Sequence, residues 1–146
     1  MSEIVIKKGE LQTAVKLSMG IPEFKNPHPL QEYLNRLNNK SCLILIASLN
    51  EIPVGFKVAY ERNDDGSLYS WMGGVLPKFR RKGIAQLLAD GQEKWAKENN
   101  YLSIRFKTRN KHSKMLLFAL GNGFQIVGVN KIGEVGDYRI VLEKKL

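Results

Sequence analysis

The chain has 146 residues and a net charge of +9, from 23 Lys and Arg against 14 Asp and Glu. That length suits one domain with its own core, residues 1–146, and 43% apolar with 25% charged residues argues against disorder, collagen and coiled coil. The single cysteine, Cys42, excludes an internal disulfide and a multi-cysteine zinc site.

The start, Met1-Ser2-Glu3-Ile4, has neither a basic nor an apolar leader region. The longest apolar runs are about eight residues, against the roughly 20 that cross a bilayer, so the expected compartment is the cytoplasm and no membrane partner is expected. Ile4 to Ile6 predicts a short strand and Glu10 to Met19 a weak helix. Ile21 to Pro29 holds three prolines and reads as loop. Leu30, Tyr33, Leu34 and Leu37 follow the i, i+3, i+4, i+7 spacing of an amphipathic helix, which Asn38-Asn39 ends. Cys42 to Leu49 is an apolar run predicting a strand buried on both faces, and Cys42 reads as a structural thiol within it. Asn50-Glu51 is a turn before a strand over Ile52 to Tyr60. Asn63-Asp64-Asp65-Gly66 signals a hairpin into a third strand, Ser67 to Leu76, whose Gly73-Gly74 pair marks a bulge or a close approach of another backbone. Ile84, Leu87, Leu88, Gly91 and Trp95 give the clearest helix, closed by Asn99-Asn100. Leu102, Ile104 and Phe106 alternate with polar residues as a strand. Ser113 to Leu120 is a helix stopped by Gly121 and Gly123, and Phe124 to Val129 and Tyr138 to Leu142 are the last strands. The order β-α-α-β-β-β-α-β-α-β-β predicts an α/β or α+β layered fold around a mixed sheet.

The charge is concentrated. Lys78 to Lys114 holds eleven bases and three acids, a net +8, so the other 109 residues carry +1. The run Val75 to Ala85 leads from a strand into the clear helix, with Arg80, Arg81, Lys82 and Gly83 at its front. A helix start offers free backbone N–H groups and partial positive charge, and Gly83 admits an oxygen ligand to the backbone, which is the physics of phosphate binding. Neither the nucleotide P-loop motif nor G-x-G-x-x-G is present.

Arg80-x-x-Gly83-x-Ala85 resembles the signature of the GNAT superfamily of acetyl-CoA-dependent N-acetyltransferases. Val75-x-Pro77 before it, the helix after it, Asn110, and Asn122-Gly123-Phe124 extend the likeness from about Ser67 to Gly128. The resemblance implies a GNAT-like mixed, mostly antiparallel sheet of six or seven strands with about four helices. It implies a fourth and fifth strand (Ser67–Leu76 and Leu102–Thr108) that splay to admit pantetheine, with Gly73-Gly74 as the family's bulge. Val75 and Leu76 would face pantetheine and the thioester, the amides of Arg80, Arg81, Lys82, Gly83, Ile84 and Ala85 would hold the pyrophosphate, and Asn110 and Lys114 would flank the cofactor. Acetyl-CoA is then the co-substrate, with no metal, and the activity is direct attack of an amine on the thioester.

An oxyanion would meet a backbone N–H at Val75 or Leu76. A lysine-like amine, pKa about 10.4, needs a base. Glu61 is the single choice, with Asp64, Asp65 and Glu32 behind it, and Tyr69 and Trp71 line the acceptor pocket. The tyrosine that many family members place four residues before the Gly-Phe glycine is Ala119 here. Tyr69, Tyr101 and Tyr138 are the substitutes for that acid. His28 reads as a solvated loop residue, with the edge of the acceptor pocket as its alternative; His112 begins a helix near the proposed cofactor without a partner in sequence, and no metal spacing is present. Glu23, Glu32, Glu61, Asp64 and Asp65 suggest an acidic acceptor side suited to a cationic amine, small-molecule or peptide. A homodimer is compatible with all of this. The alternatives are a CoA-binding member without catalysis and a nucleic-acid-binding module using the Lys78–Lys114 face, against which no stacking aromatics or recognition motif appears.

Overall fold

The computed structural model describes residues 3–146; Met1 and Ser2, part of the start inspected for a leader, lie outside the described residues. The elements follow the predicted order: β1 Ile4–Lys8, α1 Leu11–Met19, α2 Leu30–Leu37, β2 Cys42–Leu49, β3 Ile52–Tyr60, β4 Ser67–Val75, α3 Ile84–Glu98, β5 Ser103–Arg109, α4 Ser113–Gly121, β6 Gln125–Asn130 and β7 Arg139–Lys145. The seven strands form one mixed sheet in the order β1-β2-β3-β4-β5-β7-β6, antiparallel except where β4 runs parallel to β5. With four helices this is the layered α+β architecture, mixed and mostly antiparallel, that the resemblance implies.

Local chemistry explains the boundaries. Asn50 and Glu51 both take positive φ, 49° and 71°, the backbone a two-residue hairpin requires. Helix α3 ends in a Schellman arrangement. Asn100 has φ 65°, its amide donates to Lys97 at 3.2 Å, and the Tyr101 amide donates to Ala96 at 3.0 Å. Helix α4 stops at Asn122, whose amide and side chain both bond the Phe118 carbonyl.

The sheet is covered on both sides. Leu43, Leu45 and Ala47 of β2 pack with Ile84, Leu88 and Ala96 of α3 on one face. Ile46, Phe56 and Val58 pack with Ala14 and Val15 of α1 and Tyr33 of α2 on the other. Cys42 is half-buried at the edge of this strand, and burial pushes its thiol up, which suits a structural role. Tyr33 and Phe56 are fully buried; truncating such a side chain to Ala costs about 3–5 kcal/mol.

Two expectations change. The irregularity in β4 is not at Gly73-Gly74. Ala59 pairs Ser70 and Val58 pairs Met72, so Trp71 is the extra residue, while Gly73 and Gly74 pair regularly with Lys57 and Phe56. The glycines admit neighbours instead: a Cβ on Gly74 would sit 2.4 Å from Ile21 Cδ1, and one on Gly73 3.2 Å from the Phe56 carbonyl. Leu102, placed on the inner side by alternation, is 70% exposed just before β5 begins, where its amide donates to Gly66.

Candidate active site

Strands β4 and β5 pair only at Ser67↔Ser103, Leu68↔Ile104 and Tyr69↔Arg105. Beyond Tyr69 they part, so the predicted splay exists and its closed end is Tyr69. The backbone along the opening follows from the ladder. Val75 faces Gly55, and the Leu76 amide donates to the Val54 carbonyl at 2.8 Å. Antiparallel alternation then turns the amides of Gly73 and Val75 away from β3, into the opening. The Val75 amide is therefore free to face whatever enters the opening, as the resemblance implies for pantetheine. The Leu76 amide is not, because it is already bonded within the sheet.

At the open end stands the loop before α3. Arg81 and Gly83 hold positive φ, 62° and 79°, and the chain turns so that the amides of Arg81, Lys82, Gly83, Ile84 and Ala85 donate to no acceptor among the described residues. A Cβ on Gly83 would meet nothing within 4 Å; the glycine is there for its backbone conformation. The Ile84 side chain is buried in the core, so only its amide faces out. Arg81, Lys82 and Lys114 are exposed and unpaired among the described residues.

Arg80 departs from its expected role. Its amide donates to Pro77 at 3.3 Å, its Nε to the Val75 carbonyl at 3.0 Å, and its two terminal nitrogens to the Glu23 carboxylate at 2.9 and 2.8 Å. The guanidinium is consumed as a brace between the α1–α2 loop and the end of β4, and the free amides begin at Arg81. Arg80 holds the Glu23 carboxyl below its usual range, and His112 at the start of α4 acts on it in the same direction. Three loops thus converge at this end. Asn110 is tied there too: its amide donates to Tyr138 at 2.8 Å and its Nδ2 to Val135 at 3.2 Å, leaving Oδ1 without a partner among the described residues.

The acidic acceptor side is not formed. Glu23 is taken by Arg80, Glu32 by Arg36 at 2.9 Å, and Asp65 by the Ser67 amide and hydroxyl. Asp64 is exposed at positive φ in the hairpin loop. Glu61 follows Tyr60, which pairs Tyr69, and its amide bonds Ser41 at 2.9 Å; it lies past the closed end, and the structure does not bring it to the opening. Tyr69 does stand at the vertex, where burial raises its phenol and keeps it protonated. Around it is an aromatic group. Trp71 lies 4.7 Å from Tyr33 and 5.4 Å from His28, and Tyr60 lies 5.8 Å from Tyr69. His28 is therefore a half-buried member of this aromatic group and not a solvated loop residue. Ala119 is buried against the β7 side chains Ile140 and Leu142. Among the described residues no three His, Cys, Asp or Glu are grouped to hold a metal, and no helix is long and apolar enough to cross a membrane.

Lys57 was missed. It pairs with Gly73 and is half-buried, without a hydrogen bond or ion pair among the described residues. Its Nζ lies 3.6 Å from the position of a Gly73 Cβ, on the α3 face beside the opening. Desolvation alone lowers its pKa to about 8. The available signal was a lone lysine within the apolar run Ile52–Tyr60.

A family model described as acetyltransferase (GNAT) family matches residues 11–124. No curated protein matches the chain. Among solved structures, Ard1 from Thermoplasma volcanium is similar at 16% identity and TM-score 0.84, covering 98% of this chain and 97% of that one. The PaiA N-acetyltransferase from Thermoplasma acidophilum, in complex with coenzyme A, is similar at 18% identity and TM-score 0.78, covering 99% of each chain. A GNAT family acetyltransferase from Elizabethkingia anophelis with acetyl-CoA bound is similar at 21% identity and TM-score 0.75, covering 98% of each. At these identities the likeness to solved structures concerns the fold.

Proposed function

The chain belongs to the acetyltransferase (GNAT) family, and we propose that it moves the acetyl group of acetyl-CoA to a primary amine by direct attack on the thioester. The observation that carries this reading is the β4–β5 opening headed by unbonded amides at the start of α3. The pyrophosphate takes the amides of Arg81 to Ala85, with Arg81 and Lys82 adding charge. Pantetheine runs down β4 from there. The thioester would lie along β4 where the amides of Gly73 and Val75 face the opening. Asn110 Oδ1 and Lys114 flank its other side.

The amine nitrogen attacks the acetyl carbon from the α1–α2 face. The developing oxyanion takes a hydrogen bond from the Gly73 or Val75 amide. The C–S bond then breaks, sulfur keeps the electron pair and takes a proton, and the nitrogen loses one to solvent. Lys57 is the proton source on the sulfur side, because it already stands at Gly73 with its ammonium destabilised. Tyr69 lines the acceptor side. The reaction takes place in the cytoplasm, and a homodimer would use the edge strand β6, whose Ile126, Val127 and Val129 are exposed.

Calorimetry with CoA, followed by thiol release from acetyl-CoA across an amine panel, tests the reading. Binding in the micromolar range and amine-dependent thiol release are expected. A folded sample that ignores millimolar CoA would overturn it, and binding without release from any amine would leave only a CoA-binding domain.

A further inference from the structure

The face that receives the acceptor is basic. Ile104 and Phe106 of β5, and Ile140 and Leu142 of β7, pack into the clusters on the α3 and α4 side. By alternation Arg105, Lys107, Arg139 and Glu143 lie on the opposite face, the one where the α1 and α2 cluster reaches β2, β3 and Trp71 and Met72 of β4 and includes no β5 or β7 residue. Arg105 is tied to Glu143. Lys107 faces Val141, which makes Arg139 its diagonal neighbour. Arg62, from the β3–β4 connection, stands over the Tyr69 ring with its guanidinium carbon 4.8 Å from the centroid. Arg62, Lys107 and Arg139 are exposed, and none has a carboxylate within 4.0 Å among the described residues. Three uncompensated cations from three elements therefore gather at the Tyr69 end of the opening, with Arg62 on the Tyr69 ring itself and Lys107 within electrostatic reach of Arg62 and Arg139.

We infer that the acceptor is an anionic amine, one carrying a carboxylate or phosphate near its reacting nitrogen, and that Arg62, Lys107 and Arg139 hold that anion. The inference rests on the acetyltransfer reading above and names its substrate class. Polyamines and lysine-rich peptides would meet repulsion at this rim. The same charges serve the chemistry. A positive field disfavours an ammonium, so it raises the neutral fraction of an amine held in it without a carboxylate base. Lys107 reports this field on itself: its amine is lowered by desolvation and by Arg62 and Arg139. The absence of Glu61 from the opening is then no obstacle to attack.

The test is thiol release at saturating acetyl-CoA with matched amines: amino acids against their amides, aminoalkyl phosphates against aminoalcohols, and polyamines. Binding of each to the CoA-loaded protein is measured by calorimetry in parallel. Anionic members should show at least tenfold higher kcat/KM or affinity. Arg62→Glu, Lys107→Glu and Arg139→Glu should each raise KM or Kd for them about fivefold or more, with CoA affinity unchanged. A preference for polyamines, or anion binding indifferent to all three reversals, overturns this inference while leaving acetyl transfer intact. Failure of the wild type to bind CoA would instead remove the acetyltransfer reading, and this inference with it.

Discussion

Lys57 sits where a lysine is hardest to keep: on a central strand, beneath α3, with no partner for its charge among the described residues. Its folded pKa of about 8 lies below the reference 10.5. For a cation whose folded pKa is depressed, the unfolded chain binds more protons. The resulting destabilisation is full below pH 8 and fades as pH rises toward 10.5. The shift corresponds to about 3 kcal/mol at neutral pH, at about 1.4 kcal/mol per pH unit. Lys57→Met should therefore raise Tm at pH 7 by roughly 10 °C, with the gain over wild type shrinking as pH approaches 10. Paired thermal melts across that range read it, and a variant no more stable than wild type at pH 7 would contradict the burial argument. The stabilised variant should also release thiol more slowly if Lys57 is the proton source proposed for the sulfur, since a costly, half-buried charge is then retained for chemistry. The lysine was visible in the sequence as an interruption of an apolar run. Its neighbour Gly73, and hence its relevance, was not, because strand register sets that contact.

The element proposed to bind the cofactor is the turn from β4 into α3. Its Arg-x-x-Gly-x-Ala spacing was readable because each part works locally: the amides belong to consecutive residues, and the positive φ of Gly83 is a property of the turn itself. Gly83→Ala puts a methyl into open space, so only backbone strain opposes it, about 1 kcal/mol. Relaxing that strain moves φ out of the positive range and re-aims the free amides on either side of Gly83. The expected result is a small loss in denaturant midpoint with at least a tenfold loss in CoA affinity by calorimetry. Equal effects on both would mean the loop is structural only. Arg80 misled at this scale. In sequence it is one more base in the loop, yet its partner Glu23 is 57 residues away, and that pairing removes the guanidinium from the phosphate site.

Across the whole molecule the excess charge is unevenly satisfied. Of the basic unit, Lys94 and Lys97 pair along α3 with Glu98 and Glu93, Arg105 with Glu143, and Arg109 and Lys111 with Asp137. Arg81, Lys82 and Lys114 stay unpaired around the loop among the described residues. A compact anion is therefore favoured over an extended one. CoA affinity should fall severalfold between 50 and 300 mM salt, through screening of these few charges. Duplex DNA or RNA should bind weakly, without the steep slope that many phosphate contacts produce. Titrations of both ligands across that salt range distinguish the two. A nucleic-acid slope steeper than that for CoA would favour the polyanion alternative.

Element order, strand and helix limits to within a few residues, the turns at Asn50-Glu51 and Asn99-Asn100, and the anion loop were determined by the sequence alone. Periodicity and turn chemistry act between residues at most about four apart. Only the tertiary structure decided which charges are spent and which are free. Arg80 meets Glu23, Arg105 meets Glu143 and Lys144 meets Glu93 across separations of 57, 38 and 51 residues. The first of these removes Glu23 from the expected acidic group, and the β5–β7 register sets Lys107 diagonally beside Arg139 on the face proposed for the acceptor. They depend on which strands lie side by side, and register is set by the packed sheet as a whole, not by any stretch of chain within it.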